Sequence, residues 1–131
     1  MKRTITALRE SSAWDSSAYI LTYDESGGCF GHVPPPQLDA YGLGIRVPTW
    51  VISPFAKKSH LEPALYEHTS TLKFLETVFG LPTLASVNHQ FDESTPGGPN
   101  NQAANGQPLG PPAPPREGLA AVGNLMECFE L

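Results

Sequence analysis

The chain passes from an apolar run, Ala18-Tyr19-Ile20-Leu21-Thr22-Tyr23, directly into two adjacent carboxylates, Asp24 and Glu25, and then a glycine pair, Gly27-Gly28. A short run rich in β-branched and aromatic side chains predicts a buried strand. In open α/β sheets ligands collect beyond the carboxyl ends of strands, where Asp24 and Glu25 stand. Neighbours on a regular strand point to opposite faces, so two adjacent carboxylates meet one ion only if the chain turns at once. Gly27 and Gly28 allow the positive φ and close backbone approach that such a turn needs. The run therefore predicts one half of a metal site, and hard divalent ions such as Ca²⁺, Mg²⁺ or Mn²⁺ suit its carboxylate ligands.

Around this strand the pattern is helix, strand, strand, helix. Residues 2–12 read as a helix with Ile5 and Leu8 at helical spacing, broken by the serine-rich stretch 11–17. Val47–Pro54 reads as a second buried strand bounded by prolines. Leu38–Leu43 is a loop and Lys57–Leu65 a polar connection. From Thr69 to Phe79, apolar residues at 72, 75 and 79, with 74 and 78 beside them, predict an amphipathic helix. Thr69 or Ser70 would cap its start, and Gly80 followed by Pro82 would close its end. His68 lies just before that N-terminus and by itself reads as a capping or loop histidine, with a further option that the amides of residues 69–71 help hold a phosphate oxygen. Helix followed by strand implies an α/β class, yet two strands and two helices are too few to cover both faces of a parallel sheet.

Apolar residues concentrate in residues 1–82, which are expected to hold most of the core as a partial α/β domain. Residues 83–131 are rich in Pro, Gly and Asn and read as an extended tail laid on that domain. The net charge is −5 and the largest basic cluster is Lys57-Lys58, so no nucleic-acid partner is expected. No stretch approaches a spanning helix, and the start lacks the apolar region of a signal peptide. Cys29 and Cys128 match neither zinc-ligand spacing nor a disulfide framework, and read as free thiols.

Several ordered motifs then point one way: Tyr23-Asp24-Glu25, Gly27-Gly28, His32-Val33-Pro34-Pro35-Pro36, Gly44-Ile45-Arg46-Val47-Pro48-Thr49, Ile52-Ser53-Pro54 and Tyr66-Glu67-His68-Thr69-Ser70. Together they resemble the C-terminal part of the phosphoesterase family, which includes bacterial and plant phospholipases C and some acid phosphatases. Val87–Asp92 and Leu125–Glu130 resemble the ends of bacterial members. The resemblance implies a fragment of an alkaline phosphatase-like three-layer α/β/α sandwich that hydrolyses phosphate esters, phospholipid or phosphomonoester, with metal assistance. It implies Asp24 and Glu25 as metal ligands and places His32 and His68 near the phosphate. It also implies that the remaining ligands and the hydroxyl nucleophile lie in segments with no counterpart here. The chain alone would then be inactive, and its partner would be the missing N-terminal part or a full-length relative. Members of the family are often exported.

Two positions depart from the family pattern. Gly31 stands where an Asp commonly precedes the histidine, which removes a carboxylate that would orient His32. Cys29 replaces an aromatic. These departures support an alternative of a different class, a non-catalytic binding or regulatory protein. His60 and His89 read as surface residues, Arg46 as a structural partner of Asp39 or a carbonyl, and Pro111–Pro115 as a covering arm.

Overall fold

In the computed structural model, the described residues are 1–84, 86 and 115–131. Helix α1 spans Lys2–Arg9. It stops short of residue 12 because Ser11 turns back on it. Its amide and hydroxyl donate to the Leu8 carbonyl at 3.1 and 2.7 Å, the local competition that makes serine a poor helix interior. A single 3₁₀ turn at Trp14–Ser16 leads into the sheet.

Strands β1, Tyr19–Thr22, and β2, Thr49–Ile52, pair antiparallel with Tyr19 opposite Ile52 and Thr22 opposite Thr49. The cross-strand threonines share a hydroxyl hydrogen bond of 2.9 Å, a pairing that favours this register. Helices beside a small two-stranded sheet are compatible with an α/β class. The β2 strand is less covered than expected. Thr49 and Trp50 are exposed, and only Val51 and Ile52 are half-buried.

Helix α2 spans Ser70–Phe79 and ends where expected, with Gly80 at φ 62°. Leu81 donates to the Glu76 carbonyl at 2.8 Å, so a left-handed glycine closes the helix. Only part of the expected apolar face is covered, with Leu72 and Phe74 half-buried. Leu75, Val78 and Phe79 are exposed, Phe79 by 68%, while Ser70 and Glu76 are buried.

What α2 faces instead is the C-terminal segment, residues 115–131. Lys73 Nζ donates to the carbonyls of Leu119 and Val122 at 2.9 and 2.6 Å, and Phe74 stacks on Phe129 with centroids 5.2 Å apart. The same segment bonds residues 55–65. Lys57 and Glu130 donate to the carbonyls of Cys128 and Phe55 at 2.9 and 2.8 Å, and Gly123 donates to Leu65 O at 2.9 Å. Among the described residues, the buried apolar side chains are Val122, Leu125 and Phe129, at 1, 3 and 7% exposure. The expectation that residues 1–82 hold most of the core is thus corrected, because the most deeply buried apolar groups come from the end of the chain.

Asp39 does not pair with Arg46. Its carboxylate receives Arg116 Nε at 2.8 Å and Nη2 at 3.2 Å, and Arg116 also donates to Gly42 O at 2.9 Å. This fork fixes the loop that follows Pro34–Pro36 to the C-terminal segment. The motif Val87–Asp92 with His89, and most of Pro111–Pro115, lie outside the described residues.

Candidate functional site

At the end of β1 the chain makes the turn that the glycines foretold. Gly27 and Gly28 have φ 63° and 79°, and the Cys29 amide donates to Ser26 O at 3.0 Å. Two consecutive positive φ values mark a primed two-residue turn, which glycine occupies at little cost. A Cβ at either glycine would meet nothing within 4 Å, so backbone conformation rather than space requires them.

The carboxylates before this turn fold onto their own backbone. Asp24 Oδ1 accepts the Glu25 amide at 3.1 Å, and Glu25 Oε2 accepts the Gly27 amide at 2.7 Å. Both residues are exposed. Each keeps a second oxygen that takes no hydrogen bond among the described residues.

His68 reaches the same place from the other side. Its Nε2 lies 2.9 Å from the carbonyl of Tyr23, the residue before Asp24. A carbonyl only accepts, so Nε2 carries the proton and Nδ1 is the acceptor of the neutral ring. The loop before α2 holds the histidine there. Glu67 Oε1 accepts the Thr69 amide at 2.9 Å and also the Thr69 hydroxyl. The Glu67 amide in turn donates to Ser70 Oγ at 3.1 Å. Ser70 N–H donates to Glu67 O at 2.9 Å and Thr71 N–H to His68 O at 3.3 Å. The amides of residues 69–71 are therefore all engaged within the turn, which removes the expectation that they hold a phosphate oxygen.

His32 is placed differently. It is exposed, and no hydrogen bond joins it to Asp24, Glu25 or His68. A Cβ on Gly31 would come within 2.9 Å of the Ile45 Cγ2 methyl. An aspartate there would force this β-branched side chain to move. The structure thus ties His68 to the backbone of the residue before Asp24, while no hydrogen bond joins His68 or His32 to either carboxylate among the described residues.

Among the described residues no three His, Cys, Asp or Glu side chains converge as a metal cage. Two carboxylates at one strand end fit part of an oxygen-rich site for a hard divalent cation, which takes six or more oxygens, and leave the rest to other donors. His60 is a surface residue bonded to Glu62 at 2.9 Å, and both cysteines are free thiols.

A second pair of acids was not foreseen. Glu76 and Glu117 are 5 and 2% exposed where α2 meets the 3₁₀ turn Arg116–Gly118. Burial, and then the neighbouring Glu117, push the Glu76 carboxyl above its ordinary range, with a backbone hydrogen bond from Leu84 and the charge of Lys73 opposing. Its Oε2 is buried without a hydrogen-bond partner among the described residues. Nor did the sequence reveal Glu67. The familiar capping signature sets Ser or Thr three residues before Glu, whereas here Glu67 precedes Ser70, so the spacing is legible only in reverse.

Comparison with known proteins gives these features a context. A model of the phosphoesterase family matches residues 1–82. Phospholipase C A of Mycobacterium tuberculosis H37Rv is 35% identical over 95% of this chain and 29% of its own length. Phospholipase C B of the same strain is 34% identical over 57% of this chain and 19% of its own. Non-specific phospholipase C4 of Arabidopsis thaliana is 31% identical over 66% of this chain and 20% of its own. The chain therefore spans less than a third of the length of these relatives. No solved structure matches it.

Proposed function

Because the chain belongs to the phosphoesterase family, we propose that it forms the C-terminal part of a phosphate-ester hydrolase, with Asp24 and Glu25 as two ligands of a divalent cation. A phospholipid is the favoured substrate, since the relatives are named phospholipases C; a phosphomonoester is the second option. Residues 1–82 would be a fragment of a three-layer α/β/α sandwich, with the rest of the chain laid on it. The exposed apolar face of α2, Leu75, Val78 and Phe79, fits a surface that further chain covers.

The observation that carries this reading is the bond from His68 to the carbonyl before Asp24, which ties the loop ahead of α2 to the residue that precedes the two carboxylates. A bound Ca²⁺, Mg²⁺ or Mn²⁺ would supply charge to polarise a phosphoryl oxygen. His68, with Nε2–H engaged, offers Nδ1 to take a proton, and once protonated to return it to a leaving alcohol. His32, exposed at the far side of the glycine turn, is assigned to the substrate phosphate. The hydroxyl nucleophile is assigned to chain beyond this sequence, so the chain alone is inactive.

A hydrolysis assay on this chain, and on a chimaera preceded by the N-terminal part of the Mycobacterium relative, tests the reading. The chain alone should show no activity. The chimaera should hydrolyse a phosphocholine ester only with added divalent metal, and Asp24→Asn should cost several powers of ten in rate. Undiminished activity in Asp24→Asn with Glu25→Gln would overturn it. The second reading, a non-catalytic binding chain, draws on Gly31 and the Ile45 methyl that fills its flank. Under it, the same double substitution leaves partner binding intact.

A further inference from the structure

Four hydrogen bonds converge on the loop ahead of α2, and their common member is Glu67 rather than the histidine beside it. Its side chain takes the Thr69 amide and hydroxyl, its amide gives to Ser70 Oγ, and its carbonyl takes the Ser70 amide. Ser70 is 1% exposed, so the acceptor for the Glu67 amide is itself anchored in the buried face of α2. Thr71 Oγ1 closes the turn by donating to His68 O at 2.8 Å. The backbone on both sides of His68 is thus held by short local bonds, while the ring reaches out of the turn to Tyr23 O at 2.9 Å.

We propose that Glu67 is a positioning residue: it locks the turn from which His68 projects, so that Nε2–H stays on the Tyr23 carbonyl and Nδ1 remains the ring's only acceptor. This rests on the reading of His68 as a working group of the phosphate-ester site. The pattern is the one by which proteins orient functional imidazoles, in which one ring nitrogen is tied to a backbone carbonyl and the other is left for chemistry. The carbonyl belongs to the residue immediately before Asp24, so the bond also couples the α2 turn to the end of β1. A loosened turn would release the ring and uncouple the two segments together.

The test uses ¹⁵N-detected imidazole spectra of the full 131-residue chain, which report His68 directly and require no activity. In the parent chain, the Nε2 proton should be protected from solvent exchange. Glu67→Ala should speed that exchange about tenfold, equivalent to about 1.4 kcal/mol, while amides of Val122 and Phe129 keep their shifts. Glu67→Gln retains an Oε1 acceptor and should stay within about twofold of the parent. Should Glu67→Ala fail to fold, Thr69→Ala removes the hydroxyl bond alone and should give an intermediate acceleration. Unchanged protection in the folded Glu67→Ala protein, or in Thr69→Ala in its stead, would overturn the proposal. So would equal loss in Glu67→Gln. Failure of the phosphoesterase reading registers elsewhere, as indifference of the chimaera's activity to Asp24→Asn, so the two are separable.

Discussion

The C-terminal segment and the Asp24–His32 turn are held by opposite means. Residues 115–131 bury Val122, Leu125 and Phe129, receive Lys73 on two carbonyls, and grip Asp39 through Arg116. The turn at the end of β1 buries no side chain and is held by its own backbone, by two glycines with positive φ and by the His68 ring from the loop ahead of α2. Apolar burial supplies most of the free energy of folding, and functional loops are drawn from the regions that contribute least to it. Stability and chemistry should therefore separate between these two regions when each is altered.

Phe129→Ala is expected to have the largest effect. It removes a side chain that is 7% exposed and stacked on Phe74, and should lower unfolding free energy by about 3 kcal/mol in urea titration. A loss under about 1 kcal/mol would show that the segment is not the core it resembles.

The buried acids give an intermediate effect with a pH signature. Burial raises the Glu76 pKa above its ordinary 4.5, so the folded state holds that proton more tightly than the unfolded chain. Its contribution is fully present below about 4.5 and is lost as pH rises toward the raised value. Glu76→Gln should flatten that decline and gain roughly 1 kcal/mol at pH 7, where a buried charge would otherwise stand beside Glu117. Asp39 has the opposite sign. Arg116 holds its carboxyl below the ordinary 3.8, so its stabilisation is present above that pH and is lost as pH falls further. Thermal unfolding from pH 3 to 8 separates the two, and a decline toward pH 8 unchanged in Glu76→Gln would contradict the assignment.

At the other extreme, Asp24→Asn with Glu25→Gln should change stability by less than about 0.5 kcal/mol, because exposed carboxylates bonded to their own turn carry little of the fold. A larger loss in urea titration would mean that the turn is structural.

The sequence discloses the turn better than the core. Strand β1, the glycine pair and the Gly80 terminus of α2 follow from local propensity and backbone permission, which act within a few residues. The face that α2 buries does not, because Leu75, Val78 and Phe79 of its expected apolar residues are exposed while Lys73, Phe74 and Glu76 meet the C-terminal segment. That choice is made by tertiary partners more than 40 residues away along the chain. Lys73 satisfies two carbonyls there, a role that no helical periodicity records. The partner of Asp39 was missed for the same reason. Arg46 is near in sequence, yet Arg116 brings a fork that reaches both carboxylate oxygens. The place of Asp24 and Glu25 just beyond β1 was readable from the apolar run before them. The bond from His68 to Tyr23 O spans 45 positions and belongs to the folded chain alone.

The most direct test of the account is paramagnetic broadening by Mn²⁺ in ¹H–¹⁵N spectra of the full chain. The account predicts that the ion broadens amides of Tyr23–Gly28 and His68 before others, and that Asp24→Asn with Glu25→Gln abolishes this selectivity while spectra of residues 115–131 stay unchanged. Broadening spread evenly over the acidic surface, or unaffected by the double substitution, would contradict a divalent-cation site at the end of β1.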